Sequence, residues 1–485
     1  MAPRGNTSIL KISPLIEVSD EGTGTGTNSL CSSDSTGSRE DTCLEGESTF
    51  LLRKHGKQRK SRTARQNGLT VPQATFFIIA EIAGSGLLTL PKAIEDAGWL
   101  GIPLVIICCV TCAYTGIVLS KCWRIFQSRI PDEQSIRQNR YPYPALAKAT
   151  FGKYGGFAIS ISVNFTLFGG CVVFLLLAAN NIHKFVEQVY FEKEVSYCFI
   201  LLLLAACLLP VCFCGTPKDF WVIPIIGMSA TIISMFLLLA VILMDVPDLI
   251  NQPVEHKTTT IRTFASSFGI ICFAFTGHSL FLTVQSDMKV SSDFNKSLMF
   301  GYMGILLIYL PVPMAGYLLY GAKLTPNILE TISTGPVLHV VQVTFTFHIL
   351  MAFIILMNPI CQELEAKLKI SANFNIKRIM SRSLVMLCIV FIAETFPDFD
   401  SILSLIGGSA ITVLTFIFPS IIYLKLAPMK GDWEPIYIPL HIRVLNYEII
   451  LIGLITAIWV TYMSAEKIVL QTFHSPCWLR FNHTV

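Results

Sequence analysis

Long apolar runs separated by short polar stretches make up most of the chain. Residues 1–68 have no apolar period, and residues 17–47 are acidic and rich in Ser, Thr and Gly, which predicts a disordered tail. Beyond it, eleven segments have, or nearly have, the length of about 20 residues that a helix needs to cross a bilayer. They lie near 70–91, 100–122, 156–180, 197–214, 220–244, 263–286, 298–320, 336–362, 382–396, 400–424 and 448–466. The pattern predicts an all-α integral membrane protein with eleven transmembrane helices.

The composition agrees with this class. The 485 residues are 53% hydrophobic and 14% charged, with a mean hydropathy of +0.60, whereas a soluble chain is about 25% charged. The net charge is only +4, and we expect the lipid bilayer, not a nucleic acid, as partner.

Basic residues predict the orientation, because cytoplasmic loops carry an excess of Lys and Arg. With the N-terminus in the cytoplasm, 25 of them flank the spans on that side and eight lie on the other. The predicted parts are a cytoplasmic tail at 1–68, a ten-helix core at 69–424, a cytoplasmic loop with the eleventh helix at 425–466, and an extracellular or lumenal tail at 467–485.

The first span contains residues that interrupt helices. In "FIIAEIAGSGLLTLPKA", Gly84-Ser85-Gly86 and Pro91 follow the carboxylate of Glu81. Unwound backbone is tolerated at membrane depth where it is buried in protein or lines a wet cavity, and the N-terminus of a half-helix attracts a carboxylate. The alternative is that the glycines only allow two helices to approach closely, as Gly407-Gly408-Ser409 in the tenth span also suggests.

A similar interruption occurs in the sixth span, "FAFTGHSLFLT". Its Gly277-His278-Ser279-Leu280 matches Gly84-Ser85-Gly86-Leu87 in the order Gly, polar, small, Leu. The first and sixth spans each open a set of five, so broken helices at these positions predict two inverted repeats, about 70–244 and 263–424.

The segment "AEIAGSGLLTLPKAIEDAGWLGI", with "CAYTGIVLSKCW" after it, resembles the first two spans of the amino acid/auxin permease family, and "FAFTGH" is similar to that family's sixth-span motif. The resemblance covers roughly residues 68–466. It implies a secondary transporter of amino acids with a LeuT-like core of ten helices plus one. Members include proton-coupled and sodium-coupled carriers. The chain departs from the pattern at Glu81, since many members carry Asn just before the first break.

The two breaks supply the candidate binding residues. The backbone of the first is expected to hold the substrate carboxylate, and the second to shape the pocket, although packing is the alternative for its phenylalanine. The candidate substrate-binding residues are Gly84, Ser85, Gly86, Phe275, Thr276 and Gly277.

Four side chains are candidates for ion coupling. A carboxyl group inside a span is a functional candidate by default, so Glu81 is expected to exchange a proton or bind the substrate amine. His278 suits a proton relay because imidazole titrates near physiological pH. Thr344 and Thr346 in the eighth span offer hydroxyls for sodium. The alternative for each is a structural hydrogen bond, as it is for Asn164, Thr166, Gln342 and Asn358.

Two short motifs concern sorting and modification. Glu47, Leu51 and Leu52 fit an acidic dileucine signal that cytoplasmic sorting adaptors read, which would direct the protein to endosomes or lysosomes instead of the plasma membrane. Asn482-His483-Thr484 is a glycosylation sequon on the side predicted to face outward.

These features predict a secondary active transporter that moves small or neutral amino acids by alternating access, driven by protons or, alternatively, by sodium. A sensor that binds an amino acid and signals through the tail needs the same pocket. A channel is disfavoured because polar residues are isolated rather than arranged in stripes. No cluster of His, Cys, Asp or Glu has ligand or triad spacing, so neither an enzyme nor a resident metal or cofactor is expected.

Overall fold

The computed structural model describes residues 68–129, 141–189, 195–213, 222–249, 251–371, 373–431, 433–471 and 477. Within these ranges the chain is helical, and the only β pairing is an isolated bridge between Leu69 and Met288. In chain order the helices are α1 (Val71–Ile82), α2 (Gly86–Ala97), α3 (Gly101–Arg129), α4 (Pro142–Val189), α5 (Tyr197–Phe213), α6 (Val222–Leu249), α7 (Ile261–Ala274), α8 (His278–Asp287), α9 (Phe294–Tyr309), α10 (Pro311–Tyr320), α11 (Pro336–Lys367), α12 (Ile376–Thr395), α13 (Phe399–Leu426) and α14 (Leu440–Gln471).

Each predicted span coincides with one of these helices or with a consecutive pair. Eight helical segments of the described chain are long and apolar enough to cross a membrane, and the shorter α1 and α5 are also apolar. The all-α class is therefore confirmed, while the count of eleven crossings stays a prediction. Predicted boundaries were wrong at four helices: α3 ends at Arg129 instead of 122, α4 extends over Pro142–Val189 instead of 156–180, α12 begins at Ile376 instead of 382, and α14 extends over Leu440–Gln471 instead of 448–466.

The first span is interrupted where the glycines predicted it. α1 ends at Ile82 and α2 begins at Gly86. Between them Ala83 has φ −71° and ψ 73°, outside the helical region, and the Gly84 N–H donates to the Ile82 carbonyl at 2.8 Å in a tight turn. Pro91 is not part of the interruption, since α2 continues through it.

The sixth span is interrupted in the same way. α7 ends at Ala274 and α8 begins at His278. Phe275 has φ −104° and ψ 12°, and Gly277 is extended at φ −171° with ψ 0°. Both predicted breaks are therefore present, at corresponding positions in the two sets of five spans.

Other irregularities were not predicted. The seventh span is divided at Leu310 into α9 and α10, because Pro311 opens a new helix. Within α13, two π-helical turns lie at Gly407–Ile411 and Val413–Ile417. π-Helical turns often occur at functional sites, and Ile411 does reach the cavity described below.

Helix packing buries both breaks. α11 packs along α4 and α6, α2 packs on α7, and α1 packs on α9. Gly86 is required where the two broken spans meet, because a Cβ there would lie 2.7 Å from the Ala274 Cβ. Many large apolar side chains on outer faces are exposed, such as Leu451 and Ile458 of α14, as expected for surfaces that contact lipid.

Candidate substrate-binding site

A small cavity of about 50 Å³ lies between the two interrupted spans. The break in the first span and the break in the sixth form two of its sides, and α4, α11 and α13 close the others. Its lining residues are Glu81, Ile82, Gly84, Ser85, Gly86, Thr166, Leu167, Gly170, Phe174, Phe273, Ala274, Thr276, Ser279, Leu356 and Ile411. The structure thus brings together residues from five spans that are far apart in sequence.

The start of α2 offers unused hydrogen-bond donors to this cavity. Backbone N–H groups at a helix N-terminus have no partner within the helix, and those of Ser85 and Gly86 donate to no described residue. The Ser85 hydroxyl is also buried without a partner in the described chain. Such N–H groups, at the positive end of a helix dipole, favour a bound anion such as a carboxylate.

Glu81 lies on the last turn of α1, one turn before the free donors of α2, and its side chain lines the cavity. No hydrogen bond or ion pair joins its carboxyl to another described residue. A carboxyl group without a partner inside a span is available to an incoming cation or proton.

The hydroxyl of Tyr309, at the end of α9, spans the break in the first span. It accepts a hydrogen bond from the Gly84 N–H at 3.1 Å and donates one to the Ile82 carbonyl at 2.6 Å. The Tyr309 ring also packs edge-on against Phe275 of the other break, with 5.7 Å between centroids.

A second tyrosine of α9 forms a hydrogen bond with the backbone of the sixth span. Tyr302 donates a hydrogen bond from its hydroxyl to the Phe275 carbonyl at 3.0 Å. Tyr302 and Tyr309 are seven residues apart, so they lie on one face of α9 two turns from each other. Neither tyrosine was predicted as a functional residue from the sequence, because each acts through a backbone group that is distant in the chain or across the break.

Not every predicted binding residue reaches the cavity. Gly84, Ser85, Gly86 and Thr276 line it. Phe275 instead is fully buried against Tyr309. At Gly277 the backbone passes close to Phe281, whose ring would lie 2.6 Å from an added Cβ.

Only one of the four ion-coupling candidates lines the cavity. Glu81 is in the cavity, whereas His278 is turned toward α3, where its Nε2 lies 3.0 Å from the Thr115 hydroxyl. Thr344 shares a 2.7 Å hydrogen bond with Ser234 and donates to its own helix at Val340. Thr346 is buried and does not line the cavity.

Two hydroxyl-bearing residues complete the polar part of the cavity. Thr166 of α4 lines it, and its hydroxyl is buried with no partner among the residues described. Ser279 lies in the first turn of α8. The remaining walls are apolar and include Phe174, Phe273 and Leu356, so the cavity is lined both by residues with free donors and by hydrophobic side chains.

The sorting and glycosylation predictions stay predictions. Glu47, Leu51, Leu52 and Asn482 lie outside the described residues.

Comparisons with known proteins cover the whole membrane-spanning region of the chain. Residues 67–466 match the family model described as transmembrane amino acid transporter protein. The amino acid transporter AVT1D of Arabidopsis thaliana is 23% identical over 401 residues, covering 80% of this chain and 68% of that protein. The amino acid transporter ANT1 of Arabidopsis thaliana is 24% identical over 443 residues, covering 87% and 97% respectively.

Among solved structures, the chain is similar to the Eremococcus coleocola manganese transporter, with a TM-score of 0.49, 12% identity and coverage of 88% and 89%. The family match extends over most of the chain and over both breaks. The chain is therefore a multi-pass membrane protein of the transmembrane amino acid transporter family, whose members move amino acids across a membrane and are not enzymes.

Proposed function

We propose that this protein is a secondary active transporter of small neutral amino acids that binds its substrate in the cavity between the two breaks. One observation carries the proposal: Ser85 and Gly86, whose N–H groups are free in the described chain, and Glu81, whose carboxyl has no partner there, line the same small cavity. A zwitterion needs hydrogen-bond donors for its carboxylate and an acceptor for its ammonium group within a few ångströms, and these groups supply both, since the Glu81 carboxyl keeps an acceptor oxygen when it is protonated.

The size of the cavity supports a small side chain. At about 50 Å³ it holds a few water molecules. The cavity wall has no side chain at Gly170, where an added Cβ would lie 2.7 Å from the Leu356 Cδ2. Apolar walls beyond the donors favour a neutral side chain over a charged one.

For the coupling ion we propose a proton carried by Glu81. The carboxyl has no partner of opposite charge in the described chain, so protonation neutralises it without breaking an ion pair. The eighth-span hydroxyl of Thr344, expected for sodium, is instead bonded to Ser234 and Val340. Alternating access would follow from movement of the half-helices about the two breaks.

The disulfide supports a cytoplasmic N-terminus. Cys198, at the start of α5, is bonded to Cys477, which follows α14. In the predicted topology both lie on the outer or lumenal side, where disulfides form and persist. In this proposal the tail motif determines whether the protein resides in the plasma membrane or in endosomal and lysosomal membranes.

The test is uptake of a labelled panel of neutral amino acids into proteoliposomes, with an imposed proton gradient and separately a sodium gradient. Wild type is compared with Glu81→Gln and with Glu394→Gln, a second buried carboxylate, near the end of α12, that does not line the cavity. We expect uptake to follow the proton gradient and to lose its pH dependence only in Glu81→Gln. Uptake that follows sodium and is unchanged in that variant would contradict the proton role, and binding without flux would favour a sensor.

A further inference from the structure

Two residues that do not line the cavity form hydrogen bonds with the interrupted backbone of both breaks. A break in a helix frees N–H and C=O groups, and each such group left unpaired away from water is costly. In this protein, two hydroxyls of α9 bond to three groups of the interrupted backbone: Tyr309 to the Ile82 carbonyl and the Gly84 N–H, which also bond to each other, and Tyr302 to the Phe275 carbonyl.

We infer that Tyr309 and Tyr302 are positioning residues for transport, which hold the unwound backbone of both broken spans in the geometry that binds substrate. The inference rests on the proposed function, since it concerns the same cavity. Neither tyrosine lines the cavity, so each acts through the backbone that it holds.

Tyr309 makes the contacts that bear most directly on the binding site. Its hydroxyl bridges the carbonyl of the last residue of α1 and an N–H that precedes α2, so it fixes the turn from which the Ser85 and Gly86 N–H groups emerge. It also accepts from the Gly84 N–H, alongside the Ile82 carbonyl, and so holds the residue that directly precedes the free donors of Ser85 and Gly86. A Cβ on Gly86 would lie 2.9 Å from the same hydroxyl, so the contact leaves little free space.

Both breaks are held by a single helix. Tyr302 and Tyr309 lie on one face of α9, and the Tyr309 ring touches Phe275, whose carbonyl Tyr302 binds. Gly86 and Ala274 are in contact across the cavity edge. The relative position of the two breaks is therefore determined by one rigid element, which preorganises the cavity between them.

The experiment compares Tyr309→Phe and Tyr302→Phe with a matched control, Tyr143→Phe. Tyr143 is also fully buried and also donates its hydroxyl to a backbone carbonyl, that of Leu414 at 2.8 Å, but it touches neither break. All three changes remove one buried tyrosine hydroxyl, so a general loss of stability is common to them. The readouts are KM and maximal rate of uptake per folded transporter, with thermal stabilisation by the transported amino acid as a binding measurement.

We expect KM to rise about tenfold in Tyr309→Phe and less in Tyr302→Phe, with the maximal rate changed less than KM, because loss of preorganisation weakens binding. In Tyr143→Phe, KM should stay at the wild-type value. Wild-type KM in both α9 variants, or an equal rise in the control, overturns the inference while leaving the proposed function intact. A wild-type protein that neither transports nor is stabilised by any amino acid overturns both.

Discussion

Gly269 of α7 and Gly407 of α13 pack backbone against backbone. A Cβ added to Gly407 would lie 1.9 Å from the Gly269 carbonyl oxygen, and one added to Gly269 would lie 2.5 Å from the Ser404 carbonyl oxygen. Gly407 is the first residue of the first π-helical turn of α13, and Gly269 lies five residues before the end of α7. Small residues thus set the distance between the tenth span and the half-helix that leads to the sixth-span break, as the Gly407-Gly408-Ser409 sequence suggested.

Replacing Gly407 by alanine is expected to destabilise the protein. The added methyl group meets backbone atoms that cannot rotate away, and overpacking typically costs about 1–3 kcal/mol. Thermal unfolding of the detergent-purified protein should show a clearly lower midpoint. Gly335→Ala is the control, because nothing lies within 4 Å of a Cβ there; equal midpoints for the two variants would contradict the close contact.

Features that depend on local sequence could be predicted, whereas features that depend on contacts between distant residues could not. Gly84, Gly86 and Gly277 stand inside apolar runs, so the interrupted helices could be predicted from local sequence. Tyr309 binds Ile82 from 227 positions away, and no local pattern encodes such a distance. Phe275 shows the same limit: its place in the break was correct, but its side chain packs on Tyr309 and does not face the cavity.

A wider cavity should accept larger substrates. Leu356 of α11 forms one wall, and Leu356→Ala removes three carbons from it. We expect the ratio of kcat/KM for a larger neutral amino acid to that for a smaller one to rise about tenfold, in the range that hydrophobic pockets discriminate between side chains. Leu338→Ala, a fully buried position on the same helix outside the cavity, should leave the ratio unchanged. An equal shift in the two variants would show that Leu356 does not limit substrate size.

The Cys198–Cys477 disulfide makes the orientation testable. On intact cells or vesicles, treatment with a membrane-impermeant reductant and then an impermeant maleimide should label these two cysteines from the side opposite the N-terminus. The Cys198→Ser/Cys477→Ser variant should lose that label and, as is typical on removal of a native disulfide, about 2–5 kcal/mol of stability. Label that depends on the reductant, is absent from intact cells and appears when only the plasma membrane is permeabilised would place the disulfide on the cytoplasmic side and reverse the predicted topology.

Buried charge explains why the start of α12 was predicted too late. Lys377, Arg378 and Arg382 look like a polar loop in the sequence, yet Arg382 is only 1% exposed. Its Nε lies 2.7 Å from Glu365 of α11, and its guanidinium donates to the Cys212 carbonyl at 2.6 Å and to Asn358 at 3.2 Å. One side chain therefore joins the ends of α5, α11 and α12, and a charge count along the chain cannot distinguish it from a solvated residue.

Removing one member of this pair should cost more than removing both. Arg382→Met leaves the Glu365 carboxylate buried without its main partner, which typically costs about 3–5 kcal/mol. We expect the lower end, because the Arg378 Nε still lies 3.6 Å from that carboxylate. In Arg382→Met/Glu365→Met the buried carboxylate is gone as well, at the cost of its 3.6 Å contact with the Arg378 Nε, and its unfolding midpoint should lie above that of the single variant. A double variant less stable than Arg382→Met would instead mean that Glu365 stabilises the three helices through contacts other than Arg382.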